Sequence, residues 1–254
     1  MKYEERYVAL IDILGFSARI LADQSGSGAA ELAQIYKEIR GALKPYGGAK
    51  RADWISLTLF SDTVVASTLA RDDETDINTI SEFLWCVRRI SLILLSHGFL
   101  SRGCALKGRV VHSGDFIVGP AIITAHEYES KVARHPRILV IRDLRKKMER
   151  SKHLKQFLSE CSDGPRHLHV LYDVEKFFRG VPQIGEAHAR QQLSFSYVVA
   201  ARKTLDDALE ETADFPELFE KVKWFANYFN DTIFTAYESP SKDWPQPIEI
   251  GGYY

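Results

Sequence analysis

At 254 residues, 45% of them hydrophobic, the chain is long enough for one large domain or for a domain with an appendage. Its 33 Lys and Arg against 34 Asp and Glu leave a formal charge of -1, so no global positive field exists to hold a nucleic-acid backbone, and nucleic acid is set aside as a partner. Cys86, Cys104 and Cys161 form no CxxC pair, which argues against a disulfide framework and a zinc site and suits a reducing cytoplasm; no apolar run of about eighteen residues predicts a membrane span, and no apolar segment follows the charged MKYEERY to predict a signal peptide.

In chain order, Tyr7 to Ser17 (YVALIDILGFS) comes first. Val8 to Ile11 is a continuous apolar run, as expected of a strand covered on both faces, and Gly15 marks a tight turn into a helix. Ser17 to about Tyr46 has apolar residues at helical spacing, with Ile20, Leu21, Leu32, Ile35, Tyr36, Ile39 and Leu43 as the buried set. QSGSGA at 24–29 splits it into a short and a longer helix, and Pro45, Gly47 and Gly48 stop the second. Ile55 to Thr68 reads as a strand or hairpin in the same sheet. Arg71 to Asp76 (RDDETD) is a solvated acidic turn that offers N-caps to a helix over Ile77 to His97, apolar around most of its circumference and closed by Gly98. Strands follow at Ser101 to Val111 and Gly114 to Val118. Pro120 then opens a helix with the stripe Ile122, Ala125, Tyr128 and Val132, ended by Pro136, and Arg137 to Ile141 resumes as a strand.

The order β, α, β, α, β, β, α, β is that of an α+β sheet with covering helices. The basic stretch at 143–161 has interleaved acids and reads as a solvated helix face. His167 to Tyr172 is a short strand with His167 and His169 on one face, without a third metal ligand nearby. Glu186 to Tyr237, broken at Asp214 to Pro216, predicts an antiparallel helical hairpin packed through Phe195, Val198, Val199, Leu205, Leu209, Leu218, Val222, Phe225 and Phe229. The boundary between the sheet domain and this extension with its irregular tail is placed between residues 183 and 184.

Two of the strand regions share one anomaly, a single acid within an apolar run: Asp12 in the first, Asp62 in ISLTLFSDTVVAS. If the strands are neighbours, both carboxylates lie at one end of the sheet. Such a pair stays ionised at low cost when a cation sits between, and hard ions such as Mg²⁺ or Mn²⁺, which bridge to phosphates, suit the oxygen ligands. Either acid could serve the backbone instead, Asp12 as a helix cap and Asp62 as a turn residue.

YVALIDILGFS, LFSDTVVAS and RGCALKGRVVHSGDFIVGPAIITAHEYES together resemble the class III nucleotidyl cyclase catalytic domain, a ferredoxin-like, palm-type α+β sheet. Within it, DILGF, SDT and the GPA...A..YE...A..PRI pattern are most similar to the Pycsar antiphage pyrimidine cyclases, over roughly Tyr7 to Ile141, and KVKWFANYFND resembles the same group. The resemblance implies a homodimer with active sites at the subunit interface that converts a nucleoside triphosphate to its 3',5'-cyclic monophosphate and pyrophosphate. Asp12 and Asp62, with the Ile13 carbonyl, would hold two ions, Mn²⁺ or Mg²⁺, and the amides of Leu14, Gly15 and Phe16 would cradle the phosphates. UTP would be the expected substrate ahead of CTP, and the product would be a second messenger for a separate effector protein.

The chain departs from the purine cyclases where they read the base and steady the transition state. Thr58 replaces a base-reading Lys and Phe116 an acidic reader, while Ile123 and Glu127 stand where an Asn and an Arg act. Another cation must then offset the developing charge; Arg102, Lys107 and Arg137 are the candidates, each also a plausible ion-pair residue. The competing expectation is a catalytically silent cyclase-fold dimer serving as a nucleotide sensor or scaffold, and a weaker one is a palm-type enzyme acting on another phosphate ester.

Overall fold

The computed structural model describes residues 1–43, 54–71, 73, 75–161, 163–179, 186–236, 248 and 249. Strand β1 (Glu4–Ile13) is the axis of the sheet, and both of its edges are taken by antiparallel partners, β3 (Thr63–Leu69) and β4 (Ser101–Ser113). On one side the sheet continues to β2 (Ser56–Phe60); on the other it runs through β6 (Ile138–Val140), parallel to β4, to β8 (His167–Leu168) and β7 (Leu158–Ser159). β5 (Phe116–Val118) folds back as a hairpin arm on β4. The architecture is α+β, and Ile55 to Thr68 resolves into the β2–β3 hairpin.

Side chains of a strand alternate between faces, and β1 shows why its run is apolar throughout. Tyr7, Ala9, Ile11 and Ile13 enter the larger core, while Val8 and Leu10 enter a smaller one. The larger core is built on α3 (Asp76–Ser96), whose Ile80, Phe83, Leu84, Val87, Ile90 and Ile93 are all buried. α2 (Ser27–Ala42) and the hairpin α8 (Glu186–Thr212) and α9 (Pro216–Ala236) close around it. Leu205, Leu209, Val222, Phe225 and Phe229 of the hairpin belong to the same apolar cluster as Tyr7 and Ile11, so this core is continuous across the boundary drawn from the sequence. The smaller core has one main helix, α4 (Pro120–Lys131), laid over β1 and β4.

Several expectations meet different surroundings. Leu21, Val199 and Leu218 are largely exposed, because the apolar stripe of each helix turns its other members inward. Pro45, Gly47 and Gly48 lie outside the residues whose placement is described, as do the side chains of Phe195 and Val198 and nearly all of the tail. Asp76 is buried rather than solvated: it accepts hydrogen bonds from the Tyr7 hydroxyl (2.7 Å), the Arg71 amide (3.2 Å) and the Lys147 ammonium, tying the start of α3 to β1. The stretch after Arg142 divides into α5 (Arg142–Arg150), the short α6 (Lys152–Lys155) and β7. The strand at His167 is short and gives way to α7 (Tyr172–Phe178).

Candidate active site

β1 ends at Ile13, and the chain reverses through Gly15 at φ 79° before α1 (Phe16–Ala22). A Cβ on Gly15 would touch nothing, so the glycine answers to the left-handed backbone and not to crowding. Phe16 anchors the turn by packing its ring edge-on to Phe99, 5.8 Å between centroids.

Asp62 lies in the tight turn between β2 and β3, where Ser61 takes a positive φ of 53°, as the first residue of a two-residue hairpin turn often must. Its carbonyl accepts the Ile13 amide at 2.9 Å, and its carboxylate accepts the Ser17 hydroxyl at 2.7 Å. The hairpin tip is thereby pinned to the end of β1 and the first turn of α1. Asp12 stands beside it, opposite Thr63 on one flank and Arg102 on the other. The helix cap is Gly15, so Asp12 is not used as one.

Arg102 and Glu129 complete the cluster. Arg102 donates through Nε to Asp12 Oδ2 at 3.0 Å, and its Nη2 lies 2.7 Å from Glu129 Oε1, too oblique for a hydrogen bond but a close ion pair. His126 Nδ1 stands 3.5 Å from the other Glu129 oxygen. Burial, more than any other influence, raises the Asp12 pKa; Arg102 opposes it and the Asp62 charge adds to it. Glu129 is raised for the same first reason, with Asp12 and Asp62 contributing. Asp12 and Glu129 flank one guanidinium, and the Asp62 charge reaches both acids, so the cluster holds more negative charge than its own guanidinium offsets.

Sequence reasoning missed Glu129, yet a signal was there. The buried stripe of α4 is Ala121, Ala125 and Glu129, an acid in the third place of a small-residue series spaced by one helical turn. Beside the cluster opens a cleft of about 550 Å³, lined by Arg102, Arg134, His135, Glu217, Glu220 and Lys221 among others.

The other expected residues are distributed as follows. The Leu14 amide donates to the Leu100 carbonyl at 2.9 Å, so it is engaged within the fold; the amides of Gly15 and Phe16 have no acceptor among the described residues. Thr58 is buried on the face of the sheet that carries Asp12, in a relay with a single proton order. Arg6 Nε donates to Ser67 Oγ (2.9 Å), Ser67 to His112 Nδ1 (2.7 Å), His112 Nε2 to Thr58 Oγ1 (2.9 Å) and Thr58 to the Gly114 carbonyl (3.2 Å). Burial first, then the Arg6 charge, pulls the His112 pKa down to about 4, which keeps the ring neutral as the relay requires. Phe116, two residues beyond Gly114, is half exposed.

Lys107 pairs across from Tyr7, of opposite strand parity to Arg102, and has partners of its own. Arg137 is buried away from the acids: it grips Asp163 with both terminal nitrogens and lies over the Trp224 ring, 5.5 Å from its centroid. His167 and His169 do not converge. His167 Nδ1 faces the Leu168 carbonyl, while His169 lies between the Tyr228 hydroxyl and Glu175. Ile123 and Glu127 are exposed on α4.

The donor set suits a hard divalent ion: two carboxylates at one sheet end, one of them destabilised as an anion by burial and by its neighbour. Among the described residues no group of three or more acidic, His or Cys side chains is disposed as a complete metal cage, so an ion here would take further ligands from backbone, water or phosphate.

No protein-family model and no curated protein matches the chain. Among solved structures it is similar to a bacterial light-regulated adenylyl cyclase, with a TM-score of 0.45 and 12% identity over 78% of this chain and 100% of that one. It is likewise similar to the adenylyl cyclase CyaB from P. aeruginosa, with a TM-score of 0.46 and 13% identity over 65% of this chain and 92% of that one.

Proposed function

We propose that the protein is a nucleotidyl cyclase that converts a pyrimidine nucleoside triphosphate, UTP in preference to CTP, to its 3',5'-cyclic monophosphate and pyrophosphate. The observation that carries the reading is the convergence of Asp12 and Asp62 on one end of β1, beside the Gly15 turn, in a chain whose motifs resemble those of the cyclases. Asp12, Asp62 and the Ile13 carbonyl would hold Mn²⁺ or Mg²⁺. When bound, two such ions supply acidification of the ribose 3'-hydroxyl and charge relief on the triphosphate. Gly15 and Phe16 offer the open amides for phosphate oxygens, since Leu14 is engaged. Arg102, of the three basic candidates, is the one within reach of the acids and of open space.

One feature suits a homodimer. Phe116 and Val118 of β5 and Ile123 in the first turn of α4 follow closely in the chain and are exposed, as is Phe60 beside Asp62. Exposed apolar side chains of this size offer a second copy surface to bury. By the resemblance to the Pycsar cyclases, the product would be a second messenger read by a separate effector in antiphage defence.

A silent nucleotide sensor is the second reading, favoured by one observation: Ile123 and Glu127 present no transition-state donor on α4. The deciding experiment incubates the protein with ATP, GTP, CTP and UTP in turn, with Mn²⁺, beside the Asp62→Ala variant, and detects cyclic monophosphates by mass spectrometry. A cyclic pyrimidine product lost in the variant is the expected result. A cyclic purine overturns the pyrimidine assignment, and no product from any of the four moves the weight to the sensor.

A further inference from the structure

We propose that Arg102 is a displaceable internal counter-cation, which occupies Asp12 when no divalent ion is bound and is handed to Glu129 when one binds. The inference rests on the metal reading of Asp12 and Asp62 given above, and on the geometry of one fork. The Arg102 guanidinium touches Asp12 with Nε at 3.0 Å and Glu129 with Nη2 at 2.7 Å, so it already has a second carboxylate to hold if it leaves the first. Glu129 is almost wholly buried, with a 6% exposed side chain and its other oxygen 3.5 Å from His126 Nδ1, so it would keep the guanidinium close. Arg102 itself is 25% exposed and lines the cleft beside α9, which gives the head group room to move.

A cation binding at Asp12 and a guanidinium bonded to Asp12 repel each other and compete for the same oxygens. Removing the guanidinium therefore strengthens metal binding, the reverse of what loss of a merely structural residue does. Two unit charges about 4 Å apart still interact by about 1 kcal/mol in water and by more in a partly desolvated site, so the gain is at least about fivefold in affinity. Once moved, Arg102 faces the cleft as a free-ended donor for an anionic group of the substrate, a role bare Asp12 contact would deny it.

The test is calorimetric titration of the full chain with Mn²⁺ alone, without nucleotide. Arg102→Gln is expected to bind Mn²⁺ at least about fivefold more tightly than wild type, and Glu129→Gln more weakly, since the guanidinium then has only Asp12 to hold. Arg102→Lys keeps the charge but cannot bridge two carboxylates in a fork, and its affinity is expected to stay nearer wild type than that of Arg102→Gln. Melting curves in EDTA verify that each variant is folded; if Arg102→Gln is not, the Lys and Glu129→Gln variants carry the test between them. Unchanged or weaker binding by Arg102→Gln, while Asp62→Ala loses Mn²⁺, overturns the displacement and leaves the metal site standing. Absence of Mn²⁺ binding by wild type and all variants overturns the metal reading itself.

Discussion

The two faces of the sheet are built for different ends. On the α3 face, Tyr7, Ala9, Ile11 and Ile13 meet a thick apolar layer that includes both hairpin helices. On the α4 face, Val8 and Leu10 meet a thin one, and the same strand continues into Asp12 with Arg102 and Glu129 on one side and the Arg6–Ser67–His112–Thr58 relay on the other. The polar side chains there hold one another, by hydrogen bonds along the relay and by ion pairs around Arg102. The difference teaches that one strand can lend stability through its odd positions, sealed by α3 and the hairpin helices, and carry a polar cluster on its even ones, where a single helix covers Val8 and Leu10 and leaves Asp12 partly exposed.

That contrast can be broken most directly by pairing a variant from each face. Phe83→Ala on the thick face should cost about 3–5 kcal/mol of stability, read by denaturant unfolding, with the turnover of still-folded protein largely kept. Asp62→Ala on the thin face should do the opposite, lowering cyclic product at least about a hundredfold with a small change in melting temperature. A variant that moved both quantities together would show the faces to be coupled.

Acid adds a further test, because two buried histidines are held neutral, one in the relay and one against α9. His112 is pulled down to about 4 by burial and the Arg6 charge, and His167, packed against Trp224 and Tyr228 of α9, is pulled down to about 4 by burial despite its bond to the Leu168 carbonyl. Both folded-state values lie below the ordinary 6.5, so the stability these groups contribute is complete above that pH and is lost as pH falls from 6.5 toward 4. Melting temperature should drop across that window, and the drop should shrink in His112→Asn and in His167→Phe. Equal slopes in wild type and both variants would mean that neither ring is kept neutral by the fold. The smallest effect belongs to Thr58→Val, which leaves the His112 Nε2 proton without its acceptor and should cost about 1–3 kcal/mol, with no loss on the α3 face.

Much of the fold was legible because it is local. The apolar run of β1, the glycine at its end, the all-round apolar α3 and the helical hairpin are each written in contiguous residues. The proximity of Asp12 to Asp62 was legible because two anomalous strands had one plausible arrangement, side by side. What escaped was set by distant pairings. Arg102 and Glu129 face each other across a strand and a helix, and nothing in the spacing of AHEYES says that an acid on a buried stripe has an arginine waiting. The Leu14 amide looked open for phosphate until Leu100, far along the chain, supplied its acceptor. Arg137 looked like a surface cation at a strand end, and only the packing of α9 shows its guanidinium spent on Asp163 and Trp224.

Gly103 sits next to Arg102, paired with Ile11, and a Cβ there would lie 2.0 Å from the Leu10 carbonyl oxygen. This is the seam where β1 is closed by a partner 90 residues later in the chain, and the consequence is one of timing during synthesis. Until β4 has emerged from the ribosome, β1 is an apolar strand with an open edge, the kind that pairs with the wrong neighbour. Slow non-local pairing of this order leaves that edge open for the whole interval between the β2–β3 hairpin and β4.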